Sequence, residues 1–96
     1  MKVRFARQAV SDIAHIADFI RADNPAAADG VAQAMQSTID LLGEFPMLGR
    51  HRPDLGVRVL GIPRYPYTVY YRIEVDEIWI VHVRDDRRQQ PERSEL

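Results

Sequence analysis

Cysteine does not occur in these 96 residues, which excludes disulfides and thiolate metal sites. No run of about 18 apolar residues exists, so the sequence offers no membrane-spanning helix. "MKVRFARQAVSD" lacks the apolar h-region of a signal peptide. The expectation is a soluble, cytoplasmic protein with no membrane partner. Phosphate-cradling glycine loops, zinc-ligand spacings and the nucleophile elbow are also missing. His15, His51 and His82 fall on different elements and share no metal-ligand spacing, so neither metal nor cofactor is expected. Lysine is nearly absent, with Lys2 alone against twelve arginines. Arginine is favoured where planar, bidentate contacts to phosphate or carboxylate matter, although a GC-rich genome would leave the same mark.

What is present suits one small domain. A hydrophobic share of 46% supports a single core, and a chain of about 100 residues has no room for two. That core should be marginal by itself, so a stabilising partner is in keeping with the size. A net charge of -1 and a pI near 6.3 argue against a general nucleic-acid coat. The charge is uneven, however. Residues 1–48 set Lys2, Arg4, Arg7 and Arg21 against six acids, a net of -2. Between 50 and 72, Arg50, Arg52, Arg58, Arg64 and Arg72 face only Asp54, a net of +4.

The pattern along the chain changes period once. "KVRF" (2–5) alternates and reads as a strand. Ile13, Ile16, Ala17 and Ile20 then recur at helical spacing, which predicts a helix from about Arg7 to Ala22 with the poor N-cap Ala6. In "DNPAAAD", Asn24 can cap a second helix and Pro25 suits its first position. Ala28, Val31, Met35, Ile39 and Leu42 carry that helix to about Glu44. Gly30 inside it implies a close helix–helix contact or a mild defect, costing roughly 1 kcal/mol against alanine. "FPMLGRHRPDLG" (45–56) has the prolines and glycines of a loop. Beyond it the period is two, and 57–62, 67–74 and 77–83 read as strands.

The expected architecture is α+β: two antiparallel helices packed on one face of a small antiparallel sheet, in the order β-α-α-β-β-β. Residues 1–88 form the domain, and 89–96 form a flexible tail without apolar periodicity. On strand 67–74, Tyr67, Val69, Tyr71 and Ile73 should face the core. Thr68, Tyr70, Arg72 and Glu74 should face outward, where a function or a partner would sit.

The densest group of chemically capable side chains is "HVRDDRR" (82–88). A ribonuclease needs a proton acceptor, a proton donor and cations for the phosphorane. His82 is a candidate for the first two roles, and Arg58, Arg64, Arg72 or Arg84 for the last. Alternatively, His82 is a strand-end histidine bonded to a neighbour. The four tyrosines could stack bases or simply pack. Asp85 and Asp86 can pair locally with Arg84, Arg87 or Arg88, and two carboxylates between arginines suit a phosphate grip poorly.

Residues 9–84 resemble the RelE/ParE superfamily of toxins from type II toxin–antitoxin modules. "AVSDIAHIADFI" resembles its first helix, and "NPAAADGVAQAMQSTIDLLGEFPMLGR" its second helix and exit. "RVLGIPRYPYTVYYRI" resembles its central strands and "EIWIVHVRDDRR" its last strand. RelE-like members are ribosome-dependent mRNA endoribonucleases, and ParE-like members poison DNA gyrase. The arginine that often follows the opening aromatic in the nuclease branch is Thr68 here. Asp85 and Asp86 stand where basic residues and a tyrosine would follow the last strand. "NPAAA" and "FPMLGR" resemble the ParE-like branch, whose histidine near the end of the last strand aligns with Arg84, or with His82 after a two-residue shift.

The resemblance therefore implies a toxin that inhibits growth by binding a protein target, DNA gyrase, and is neutralised by a cognate antitoxin. The arginine surplus suits acidic, disordered antitoxin segments. Arg50, Arg58, Arg64, Arg72, Arg84, Arg87 and Arg88 are the candidate contacts with target or antitoxin, and His82 and Arg84 the weak catalytic candidates. The alternatives are an mRNA endoribonuclease engaging the ribosome, and a non-toxic binding module.

Overall fold

A computed structural model describes all 96 residues. Strand β1 (Lys2–Phe5) leads into helices α1 (Arg7–Asp23) and α2 (Pro25–Glu44). Strands β2 (Arg50–Arg52), β3 (Val57–Gly61), β4 (Tyr67–Ile73) and β5 (Glu77–Asp85) follow, and a 3-10 turn spans Arg93–Glu95.

Asn24 separates the two helices by serving both. Its backbone is extended (φ -152°, ψ 97°), its N–H closes α1 on the Ile20 carbonyl at 2.7 Å, and its side chain accepts the Ala27 N–H at 3.2 Å. Pro25 at the first position of α2 forfeits only an N–H that had no partner. Ala6 gives α1 no side-chain cap; its own N–H instead donates to the Ile80 carbonyl at 2.9 Å. Gly30 is explained by a contact, though not between helices. A β-carbon there would lie 2.7 Å from the Tyr65 hydroxyl, on the β3–β4 connection.

The sheet order is β1-β5-β4-β3-β2. All pairs are antiparallel except β1 with β5, which run parallel because the helical hairpin carries the chain back to the starting end. The loop expected over 45–56 contains the edge strand β2. Pro53, Asp54 and Gly56 form a turn in which the Gly56 N–H meets the Arg52 carbonyl at 2.9 Å, and Gly56 takes a positive φ of 72° that glycine tolerates without cost. That turn folds Arg50 and Arg52 back onto Val59 and Val57.

Two apolar clusters lie on opposite sheet faces. The larger joins Ala9, Val31, Met35, Ile39 and Leu42 of the helices to Tyr67, Val69, Tyr71, Ile78, Ile80 and Val83. The smaller, on the outer face, joins Leu55, Val57, Tyr70 and Val81, with Val59, Trp79 and Leu96 against them. The expected facing of β4 therefore holds. A bulge sets the facing of β5: Tyr70 pairs with His82 but Tyr71 pairs with Ile80, so Val81 is the extra residue. Without it, strict alternation would put His82 in line with Ile78 and Ile80. With it, Val83 enters the core and His82 lies opposite Tyr70 on the outer face. Residues 89–96 run back across that face, burying Pro91 fully and placing Leu96 on the small cluster.

Candidate recognition surface

Because paired residues share a face, the register places Arg50, Val59 and Tyr70 in one outer row. Arg52 and Val57 lie in the next row, and Gly61, Thr68 and Arg84 lie on the other side. Between them opens a cleft of about 360 Å³, lined by Arg50, Arg52, Thr68, Tyr70, Arg84 and Arg88 and closed by residues of the segment 85–90. A second concavity of about 510 Å³ lies between α1 and the end of β5, where Asp12, His15, Phe19 and Tyr67 meet the same Arg84 and Arg88. These two arginines, with Asp85 beside them, form the rim shared by both.

Of the two aspartates that weaken an anion grip, Asp85 is neutralised by an arginine and Asp86 is not. Arg87 clasps Asp85 with two hydrogen bonds of 2.9 and 2.7 Å, and the bond from Arg87 holds the Asp85 carboxyl below the usual carboxylate range. Asp86 accepts the Thr68 hydroxyl at 2.5 Å rather than pairing with an arginine. Arg52 is committed to Asp54 by bonds of 3.0 and 2.7 Å, which lowers the Asp54 carboxyl and raises the guanidinium. Arg50 and Arg88 make no carboxylate pair, so against the unpaired carboxylate of Asp86 the cleft keeps a small surplus of positive charge. Arg84 donates to the Gln89 carbonyl at 3.0 Å and lies 3.6 Å from Glu95, while its buried Nε has no partner. Desolvation at the outer face pushes the Tyr70 phenol upward, keeping it a neutral hydroxyl.

His82 is only 2% exposed and lines neither concavity. Its Nδ1 contacts the Asp12 carboxylate, its Nε2 lies 3.4 Å from the Arg84 guanidinium, and its ring meets Tyr70 edge-on. The Nδ1 contact with Asp12 is close but lacks hydrogen-bond alignment, and Nε2 is the ring nitrogen that faces Arg84. The histidine thus sits beneath Arg84 and sets its position.

Of the residues expected at a site, the fold gathers Arg50, Arg84 and Arg88 into one cleft, with Arg72 on the same face beyond it. Arg58 is turned away and donates to the Gly49 carbonyl at 2.8 Å. Arg64 occupies the β3–β4 connection at φ 73°, and Arg87 is spent on Asp85. Sequence reasoning missed Arg52 and Asp12. Arg52 was discoverable, since it shares parity with Arg50 once β2 is recognised. Asp12 lies 71 residues from the Val83 amide it accepts, and no local pattern announces that contact. No three His, Cys, Asp or Glu side chains approach closely enough to hold a metal, and no helix is long and apolar enough to cross a membrane.

The depressed carboxyls make stability depend on pH. Arg4 holds Glu77 low through a 2.5 Å bond, as Arg87 does Asp85. A carboxyl whose folded pKa is depressed stabilises the fold above its unfolded pKa, and that contribution is lost as pH falls through the folded value. The thermal midpoint should therefore stay level from pH 7 to about 5 and fall below about 4. In calorimetric scans, Arg4→Gln with Arg87→Gln should shrink that fall; an unchanged fall would refute the assignment.

Comparison with known proteins agrees with this geometry. The profile for the ParE toxin of the type II toxin–antitoxin system parDE matches residues 3–90. "Putative toxin Y4kP" from Sinorhizobium fredii (strain NBRC 101917 / NGR234) is 30% identical over 83 residues, covering 84% of this chain and 86% of that protein. A chain of the structure titled chromosomal ParDE TA system from P. aeruginosa superposes with a TM-score of 0.75 at 27% identity, covering 86% of this chain and 92% of that one. The two helices, the mixed sheet and the matched span agree: this chain belongs to the ParE toxin family of type II toxin–antitoxin systems.

Proposed function

We propose that this chain inhibits growth by binding a protein target, DNA gyrase, and that a cognate antitoxin neutralises it by covering the arginine cleft and the apolar surface around it. The observation that carries the reading is the state of the cleft. It presents Arg50 and Arg88 without counter-ions, Asp85 is neutralised by Arg87, and Asp86, bonded to the Thr68 hydroxyl, is the one carboxylate of the cleft without an arginine. This chemistry suits recognition of carboxylates. It suits acid–base catalysis poorly, since both nitrogens of His82, the nearest imidazole, face other side chains. Large apolar side chains are exposed on the helical hairpin and its exit, including Phe19, Phe45 and Met47, and patches of this kind accompany protein partners.

Induction in a sensitive host without antitoxin should arrest growth with a DNA-damage response while translation continues. Arrested translation over intact DNA would overturn the reading in favour of ribosome-dependent mRNA cleavage, and absence of any arrest would favour a non-toxic binding module. The double reversal Arg50→Glu with Arg88→Glu should weaken antitoxin binding about 100-fold, roughly 2.7 kcal/mol, with most of the loss screened away at high salt. Titration calorimetry at two ionic strengths measures it.

A further inference from the structure

The outer face already carries an occupant. Residues 89–96 cross it, with Leu96 on the cluster of Leu55, Val57, Tyr70 and Val81 beside Trp79. Glu95 lies 3.6 Å from Arg84, the Gln90 side chain accepts from Arg52 at 3.3 Å, and Arg72 donates to the Leu96 main-chain oxygen. Glu92 and Glu95 also cap each other, each side chain accepting the other's backbone N–H. No backbone–backbone hydrogen bond joins residues 89–96 to any strand. The segment is therefore held by one leucine, a buried proline and the ends of arginine side chains, a set of contacts that another chain of the same chemistry can reproduce.

We propose that the outer sheet face is a docking groove for a short extended segment bearing a leucine-like side chain beside a glutamate, and that residues 89–96 are its exchangeable resident. The apolar cluster seats the leucine, and Arg84 and Arg72 read the acid and the main chain next to it. Charge complementarity identifies the partner. Arg50 and Arg88 have no carboxylate partner and Arg84 faces Glu95, an excess over the one cleft carboxylate without an arginine, Asp86. The face therefore favours an acidic visitor, and a lysine in place of the glutamate would meet the Arg84 guanidinium. An incoming segment must first displace the resident, so apparent affinity is reduced by the fraction of molecules in which the groove is closed. This deepens the partner half of the proposed function. Its test reads peptide binding alone, so failure here leaves toxicity and neutralisation to be judged by their own assays.

The experiment uses the full chain and a peptide of residues 89–96 blocked at both ends, followed by anisotropy of a labelled peptide and by emission of Trp79, the only tryptophan. Leu96→Asp in the protein vacates the apolar seat. That variant should bind the peptide at least tenfold more tightly than the unmodified chain, with a shift in Trp79 emission. Glu95→Lys or Leu96→Asp in the peptide should each cost at least tenfold, and Arg84→Gln in the protein should abolish the preference for the Glu95 peptide over its lysine form. Equal binding by the two proteins, no binding by either, or indifference to the Glu95→Lys change overturns the proposal. Tighter binding of an eight-nucleotide oligothymidylate than of the peptide does so too, assigning the face to nucleic acid. Loss of a cooperative melt in Leu96→Asp also overturns it, because a segment needed for the fold is not exchangeable.

Discussion

Gly49→Ala is expected to destabilise the fold by about 3 kcal/mol, near the upper end for a single added methyl. Gly49 leaves α2's exit loop at the point where Tyr71, fully buried at the centre of β4, reaches out of the core. Its N–H donates to the Tyr71 hydroxyl at 2.8 Å, and that hydroxyl donates to the Pro46 carbonyl at 2.7 Å. A β-carbon at Gly49 would lie 2.6 Å from both Cε1 and Oη of the ring and 2.9 Å from the Val59 carbonyl. Neither the backbone nor a ring with 0% exposure can give way, so the loop must lift and both hydrogen bonds break. Tyr71→Phe keeps the ring but strands the Gly49 N–H and the Pro46 carbonyl, at a cost of about 2–3 kcal/mol. Urea titration of both single variants and the double variant tests the account. Since each change breaks the same two bonds, the double should fall well short of additivity; strict additivity would refute the shared mechanism.

The same loop shows where the sequence stops being informative. The helical hairpin was legible because Asn24 and Pro25 punctuate it and because two apolar stripes repeat at helical spacing. Strands β3, β4 and β5 were legible from their alternation and their Val, Ile, Tyr and Trp content. Strand β2 was not, since three residues, Arg-His-Arg, are shorter than any periodicity and carry no apolar member. Its existence depends on the turn at Pro53–Gly56 and on the edge that Val57 and Val59 offer. The parallel partner of β1 was equally hidden, because pairing across the whole chain leaves no local trace. The β5 bulge runs against the visible signal: "IWIVHV" alternates cleanly, and read literally it sends His82 into the core. At the site, parity on β4 identified the outward face correctly. The arginines were sorted only by the fold, which kept Arg50, Arg84 and Arg88 together and spent Arg58 and Arg87 elsewhere.

Asp12→Ala should cost about 3 kcal/mol, a large share of the roughly 5–15 kcal/mol that holds a domain of this size. Strand β1 stops pairing with β5 at Phe5 and Ile80, so the amides of β5 beyond that point need acceptors from elsewhere. Asp12, with its side chain 12% exposed, supplies one by taking the Val83 N–H at 2.9 Å through the oxygen that also contacts His82 Nδ1. Gln8 holds the second oxygen at 2.9 Å. Alanine leaves a strand amide without its acceptor and removes the carboxylate that faces the buried imidazole at the bulge. Asp12→Asn retains an acceptor for the Val83 amide and should cost markedly less. A cycle with His82→Leu should give a coupling of about 1–3 kcal/mol; a coupling near zero would mean that Asp12 serves the amide alone. The functional consequence follows from position. Arg84 rests on His82 Nε2 and lines both concavities, so Asp12→Asn, folded but with its hold on the imidazole weakened, should bind partner several-fold less tightly than its stability loss explains. Binding measured well below the melting transition separates the two effects, because a purely structural Asp12 would leave affinity unchanged there.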